Sequence, residues 1–281
     1  MELANINTLK KILNSEGFDL KKSMGQNFLI DPSVCPAMAE CACDEETGVL
    51  EIGPGAGVLT RSLSDRAKKV VAIELDAKLE PVLNKTLADK DNVSVIFGDA
   101  MKLDLSKIIA QNFGDCKKVA VCANLPYYIT SPIIMHLLES RLPLDNITVM
   151  VQKEAAERLC ATVGTRQAGA VTVAVSYFSE GEILFEVGRD SFLPPPNVDS
   201  AVITLKIRKE PPIVLKDEKK FFAFVKGCFA QRRKTLVNTV SSTMGISKEV
   251  LKTALLSAGL KETARAEELT LEQLAQISNN I

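Results

Sequence analysis

Histidine is almost missing from this 281-residue chain; His136 is the only one. A lone imidazole in the helix-like run I-I-M-H-L-L reads as a packed or surface helix residue and not as a general base, which leaves no persuasive Ser-His-Asp arrangement. Seven cysteines are present, at positions 35, 41, 43, 116, 122, 160 and 228, but no two form a C-x-x-C pair. Cys41-Ala-Cys43 is at most half a metal site with the other half missing, so reduced thiols and no bound metal are expected. No apolar run approaches the roughly 20 residues of a membrane span. The N-terminal M-E-L-A-N-I-N-T-L-K-K lacks the charged-then-apolar plan of a signal peptide, and a cytoplasmic protein is expected. Internal repeats and low-complexity stretches are also missing.

What is present begins with apolar residues, 46% of the chain, enough to bury one full core and a smaller second one. The net charge of −1 conceals an asymmetry: residues 201–281 carry 14 Lys+Arg against 8 Asp+Glu, and residues 1–200 carry 20 against 27. An acidic front and a basic back suggest two functions. The basic end is a candidate for phosphate-backbone contact, with a solvated helical face as the plain alternative.

Short β-rich runs at 49–53, 70–75, 93–97, 119–123 and 147–152 alternate with helical patterns near 58–67, 77–88, 104–112 and 131–140. That alternation predicts an α/β fold with a parallel sheet covered on both faces. Two later runs, 183–187 and 201–207, bracket the turn-rich S-F-L-P-P-P-N and read as a hairpin-like addition, which makes the sheet mixed. K-E-P-P at 209–212 is a breaker followed by helical patterns. The expected division is therefore a sheet-bearing domain, 1–208, and a small basic helical domain, 209–281, the candidate for nucleic-acid phosphate.

Chemistry is concentrated at the ends of the predicted strands. V-L-E-I runs into Gly53-Pro-Gly55-Ala-Gly57, a turn that lets a ligand touch bare backbone before a helix opens near Val58. A dinucleotide fingerprint would need its third glycine at 58; the observed G-x-G-x-G spacing favours the methyltransferase variant of that architecture over a plain strand-to-helix turn. Glu74 closes the second strand, where a carboxylate can accept both hydroxyls of a ribose, while Asp76 more naturally caps the next helix. Asp99 closes the third strand and can accept from an adenine amino group. Asn124-Leu125-Pro126-Tyr127 closes the fourth. The Asn124 side-chain oxygen and the Leu125 carbonyl can each accept an N–H from an exocyclic amine, making its nitrogen more tetrahedral and aiming its lone pair at a methyl donor. Pro126 stiffens the turn, and Tyr127 can stack on a flipped base. Phe192, ahead of three prolines, is a candidate for the second face of a base sandwich, with core packing as its alternative. The set indicates methyl transfer from S-adenosylmethionine to an amino nitrogen. The Pro-Cys dipeptide frequent in methyltransferases that act on pyrimidine carbon is absent. Arg232, Arg233 and Lys234, in Q-R-R-K-T-L, lie in the stretch expected to contact phosphates.

With those residues in place, the chain resembles the small-subunit ribosomal RNA adenine dimethyltransferases, the kasugamycin-resistance family, nearly end to end. The matching segments are G-Q-N-F-L at 25–29, L-E-I-G-P-G-A-G at 50–57, I-E-L-D at 73–76, G-D-A at 98–100, N-L-P-Y-Y-I at 124–129, Q-K-E-A-A-E-R-L at 152–159, F-L-P-P-P-N-V-D-S-A-V at 192–202, Q-R-R-K-T-L at 231–236 and A-R-A-E-E-L-T at 264–270. The resemblance implies a Rossmann-like class I methyltransferase that transfers two methyl groups to N6 of each of two adjacent adenosines in a hairpin loop near the 3′ end of 16S rRNA. It implies a role in small-subunit biogenesis, with the small ribosomal subunit as partner and a monomeric enzyme. It also implies that Asn27 and Leu29 line the cofactor site, that Gly53 and Gly55 meet the methionine end, and that Glu74 takes the ribose, Asp99 the adenine and Asn124 the space between donor and base. V-G-T-R-Q at 163–167 departs from the Pro-Gly of many relatives and is expected to change a loop and not the chemistry. Two rivals remain: an erythromycin-resistance methyltransferase of 23S rRNA, and a non-catalytic ribosome assembly factor.

Overall fold

The computed structural model describes Leu3 and residues 6–16 and 28–281. The chain forms two compact units, one of residues 1–156 with 182–207 and the other of 157–181 with 208–281. The later crossing falls one residue from the boundary expected from K-E-P-P. The excursion 157–181 is an addition to the second unit that the sequence did not signal.

In chain order the first unit contains α1 (Ile6–Ser15), β1 (Phe28–Leu29), α2 (Val34–Ala42), β2 (Thr47–Ile52), α3 (Val58–Ser64), β3 (Lys69–Glu74), α4 (Glu80–Thr86), β4 (Val93–Phe97), α5 (Leu105–Asn112), β5 (Lys118–Asn124), α6 (Thr130–Glu139) and β6 (Asn146–Gln152). After α7 (Lys153–Leu159) and α8 (Ala170–Phe178) come β7 (Ser179–Val187), β8 (Phe192–Leu193) and β9 (Ser200–Ile207). The main sheet has the order β4-β3-β2-β5-β6-β9-β7. Pairing is parallel from β4 through β6 and antiparallel between β6 and β9. Central strands are apolar at nearly every position because both faces are covered: T-G-V-L-E-I of β2 is buried throughout, whereas V-S-V-I-F at the β4 edge is only partly so.

One layer of the core packs α2 and α3 (Met38, Ala39, Leu59, Leu63) against Val49, Val70, Ala120, Cys122 and Met150. Another packs Ile12 and Leu13 of α1 against Ala56, Leu79, Val82 and Leu83. All five parallel runs and the four helical patterns between them are found. The hairpin-like addition is found as well, with β9 and not β7 joined to β6. Helix α2 lacked a sequence signal because Pro36 reads as a breaker; it falls in the first turn, where its missing N–H costs nothing.

The second unit packs α8 with α9 (Glu218–Cys228), α10 (Leu236–Met244), α11 (Lys248–Ser257) and α12 (Leu271–Asn280). Each of these last four starts on a side-chain oxygen that accepts from the first turn: Asp217, Thr235, Ser247 and Thr270. Their core joins Val173, Phe221, Phe224, Leu236, Val240, Leu251 and Leu274. The reason 157–181 belongs here is aromatic: Phe178 stacks on Phe222 at 5.2 Å, and Tyr177 meets Phe222 edge-on at 5.3 Å. The Tyr177 hydroxyl donates to Glu218 Oε2 at 2.9 Å.

Phe221 is fully buried at the centre of this helical core. Phe221→Ala is expected to destabilise the second unit by about 3–5 kcal/mol, measured as a shift in the denaturation midpoint; a shift below one fifth of that would mean the core collapses around the gap.

Candidate active site at the carboxyl ends of the parallel strands

Strand order reverses between the parallel neighbours β2 and β5. From β2 the sheet grows through β3 to β4, and the chain then returns to place β5 on the other side of β2. In open α/β sheets such a switch point leaves a crevice at the carboxyl ends of the strands, where ligands bind. Glu51 of β2 pairs with Cys122 of β5, so the segments that follow, the glycine turn and Asn124–Tyr127, leave from neighbouring strand ends.

The glycine turn is built for close approach. Gly53 N–H donates to Ile73 O at 2.9 Å, after which Gly53 and Gly55 take φ of 72° and 57°. A Cβ on either would meet no atom within 4 Å, so their backbone borders open space. Gly57, with φ of 84°, serves packing instead: a Cβ there would lie 3.1 Å from Thr86 Oγ1.

Glu74 is buried, yet both oxygens have partners: Oε2 accepts from Gly55 N–H at 3.1 Å and Oε1 from Asp76 N–H at 2.9 Å. Burial raises its pKa, while the amides of Asp76, Gly55 and Leu75 oppose the rise. Each oxygen keeps a lone pair for a further donor. Asp76 accepts from Lys78 N–H at 3.0 Å, capping the 77–79 turn as expected. Asp99 is part-exposed; Oδ1 accepts from Met101 N–H at 3.0 Å and Oδ2 lies 3.5 Å from the exposed Lys102 ammonium.

Asn124 ends β5 opposite Met150 of β6, and its half-buried carboxamide makes no hydrogen bond among the described residues. Leu125 N–H donates to Met150 O at 3.3 Å, and the Leu125 side chain is buried. Pro126 has φ of −57° and ψ of 133° and turns the chain into the short helix Tyr127–Ile129. The Tyr127 hydroxyl shares a 2.8 Å hydrogen bond with Ser200 Oγ, an anchor that the sequence did not reveal.

Leu29 and Phe192 face each other in a two-stranded ladder of β1 and β8. Phe192 is only 3% exposed and belongs to the core with Met38 and Val187. Its ring therefore fills the core in this structure and presents no face to a base, a correction to the base-sandwich expectation. The flanking proline turn reads the same way whether its aromatic points in or out. Asn27 lies outside the described residues.

Glu51, two residues before Gly53, was not singled out by the motifs, although a glutamate inside the apolar run V-L-E-I is a visible signal. It is 1% exposed, and its Oε2 and the buried Thr60 Oγ1 have no hydrogen-bond partner among the described residues. Burial pushes the Glu51 carboxyl up to about 8; nearby Thr60 lowers it a little without completing a hydrogen bond, and the Glu74 charge raises it. Orphaned polar atoms beneath a turn of bare backbone suit a polar ligand at that turn. The described residues include no group of three or more His, Cys, Asp or Glu placed to hold a metal. The seven cysteines are free thiols.

In the second unit, Arg232, Arg233 and Lys234 are exposed in the loop between α9 and α10. Arg232 Nη2 donates to Arg166 O at 2.7 Å, which brings the V-G-T-R-Q loop and its exposed Arg166 to the basic segment.

Sheet order, glycine turn and strand-end carboxylates together define a Rossmann-like methyltransferase. Residues 17–281 match the family described as ribosomal RNA adenine dimethylase. Ribosomal RNA small subunit methyltransferase A of Bacillus pumilus is 45% identical over 96% of this chain and 94% of its own length. The protein of that name from Geobacillus thermodenitrificans is 46% identical over 99% and 96%. Among solved structures, a dimethyladenosine transferase from Plasmodium falciparum superposes with a TM-score of 0.72 at 27% identity, covering 89% of this chain and 95% of that one. The 23S rRNA methyltransferase ErmE gives 0.67 at 28% identity, covering 90% and 98%. The chain belongs to the ribosomal RNA adenine dimethylase family.

Glu51 supplies a pH test. A carboxyl whose pKa is raised on folding binds its proton more tightly in the native state, so stability falls as pH rises from the ordinary 4.5 to about 8. Relative to wild type, Glu51→Gln is expected to gain stability across that window, by a few kcal/mol in total, and to gain no more above it. Denaturation at a series of pH values measures this, and a difference independent of pH would show that Glu51 is already ionised in the fold.

Proposed function

We propose that the protein transfers methyl groups from S-adenosylmethionine to N6 of two adjacent adenosines in the 3′-terminal hairpin loop of 16S rRNA, acting in the cytoplasm as a monomer on the assembling small subunit. The observation that carries this reading is the placement of the glycine turn and Asn124–Tyr127 on adjacent parallel strand ends at the switch point. The relatives at 45–46% identity, named for the small subunit, favour that RNA over the 23S substrate named for ErmE.

S-adenosylmethionine supplies an electrophilic methyl group on a sulfonium. The chain supplies position. Gly53 and Gly55 offer backbone to the methionine end, the spare lone pairs of Glu74 accept the ribose hydroxyls, and Asp99 accepts from the adenine amine. Leu29 and Asn27 complete the cofactor wall. Asn124 Oδ1 and the Leu125 carbonyl accept the two N6 hydrogens of the target base, concentrating the lone pair on the nitrogen. Pro126 holds that carbonyl in place, and Tyr127, anchored through Ser200, stacks on the flipped ring. Arg232, Arg233 and Lys234 neutralise RNA phosphates, with Arg232 tied to the Arg166 loop.

Binding and chemistry separate on this reading. Glu74→Ala removes the ribose acceptor and also frees Gly55 and Asp76, so cofactor affinity should fall by on the order of 1.5–3 kcal/mol. Asn124→Ala should keep most cofactor binding and lose most turnover, because its contact matters chiefly in the transition state. Calorimetry and tritiated methyl transfer to undermethylated small-subunit particles test both, with N6,N6-dimethyladenosine at neighbouring positions as the expected product. Near-normal turnover by Asn124→Ala would overturn the site assignment. Product confined to large-subunit RNA would select the 23S reading, and tight particle binding with no product would select the assembly factor.

Reversing the charges of Arg232, Arg233 and Lys234 should weaken RNA binding and flatten its salt dependence, by a slope of roughly 0.7–0.9 for each phosphate no longer neutralised. Cofactor affinity should hold. An unchanged salt slope would return these residues to a plain solvated face.

A further inference from the structure

We propose that Tyr128 is a stacking platform for the nucleotide that adjoins the flipped adenine, and so a positioning residue for the RNA strand; this rests on the reading that the site draws an adenosine out of an RNA loop. Tyr127 and Tyr128 leave one short helical turn, held by Ile129 N–H to Pro126 O at 3.1 Å and Thr130 Oγ1 to Pro126 O at 3.3 Å. In a 3₁₀ turn successive side chains point about 120° apart. The two rings therefore diverge from a single rigid base. Tyr127 turns to Ser200 and is half-buried. Tyr128 is 71% exposed and makes no hydrogen bond or ring contact among the described residues.

Among the aromatics whose side chains are described, no other is exposed: Tyr177 and five phenylalanines are buried, and Tyr127, Phe97, Phe185, Phe222 and Phe229 are half-buried. With Phe192 in the core, this tyrosine pair is the aromatic surface beside Asn124 among the described side chains. A base drawn from its stack uncovers one face of its neighbour. An aromatic ring already fixed on a rigid turn recovers that stacking with little ordering cost, and does so for any base. With two adjacent adenosines as targets, each leaves a purine neighbour when the other is drawn out. Tyr127 would then hold the reacting base and Tyr128 the base next to it.

Steady-state transfer to undermethylated small-subunit particles tests the proposal with Tyr128→Ala and Tyr128→Phe. Tyr128→Ala is expected to raise KM for the particle roughly 5- to 150-fold, with kcat falling by less and cofactor Kd unmoved. Tyr128→Phe keeps the ring and should rescue KM. The chain has no tryptophan, so Tyr128→Trp creates a single reporter. Its fluorescence should be quenched by protein-free, full-length small-subunit RNA, which carries the 3′ hairpin together with the surrounding RNA surface. An unchanged KM in Tyr128→Ala, equal losses in Tyr128→Ala and Tyr128→Phe, or an unquenched Tyr128→Trp would overturn the inference. If wild-type transfer persists and Asn124→Ala abolishes it, the proposed function still stands. Failure of the wild-type protein to methylate the particle would overturn both.

Discussion

The site depends on the parallel pairing of β2 with β5. These strands are about 70 residues apart in the chain and about 4.8 Å apart in the sheet. Every residue proposed to touch the reacting atoms sits at or just beyond the carboxyl end of one or the other. A slip of one residue would turn Glu51 and Asn124 to the opposite faces and separate the glycine turn from N-L-P-Y. The register is held because both strands are buried along nearly their whole length, leaving their polar residues few alternative positions. The chemistry of the crevice thus rests on ordinary core packing.

Within that frame, two buried glutamates on neighbouring strands differ in their partners. Both are buried and both have raised pKa values. Glu74 receives the N–H groups of Gly55 and Asp76, which oppose the cost of burial and pin the glycine turn to the end of β3. Glu51 has no such donors among the described residues, and burial pushes its carboxyl up to about 8. One carboxyl is thereby kept as an acceptor at the crevice. The other is an unsatisfied group beneath the turn, a combination of burial and missing partners that functional sites tolerate and ordinary cores avoid.

The sequence made the sheet legible because each buried parallel strand is a short run of branched apolar residues closed by a polar or glycine residue. Glu74, Asp99 and Asn124 could be placed for the same reason, since they end such runs. What could not be read was direction into or out of the core. Phe192 follows a strand-like run and precedes three prolines, and that pattern is the same for a ring that stacks on a ligand and one that packs on Met38. Helix α2 was hidden by Pro36, whose position in the first turn makes it harmless. The assignment of 157–181 to the second unit rests on Tyr177 and Phe178 meeting Phe222, a contact across more than forty residues that no local pattern encodes.

The likeness to ErmE and to a dimethyladenosine transferase, with TM-scores of 0.67 and 0.72, shows that the fold alone does not choose between ribosomal RNAs. The proposed chemistry does not choose either: Asn124, Leu125 and Tyr127 recognise an amine and a flat ring, which every adenine has. Selection must therefore come from contacts beyond the target base. On the proposed reading, exposed cations such as Arg233 and Lys234 would add affinity without reading sequence. A stacking ring accepts any neighbour. Contacts of both kinds recognise the spatial arrangement of phosphates and unstacked bases, and a folded ribosomal particle fixes that arrangement where a short hairpin does not. On the proposed reading, discrimination between the two subunits is a property of RNA shape met by several individually unselective contacts.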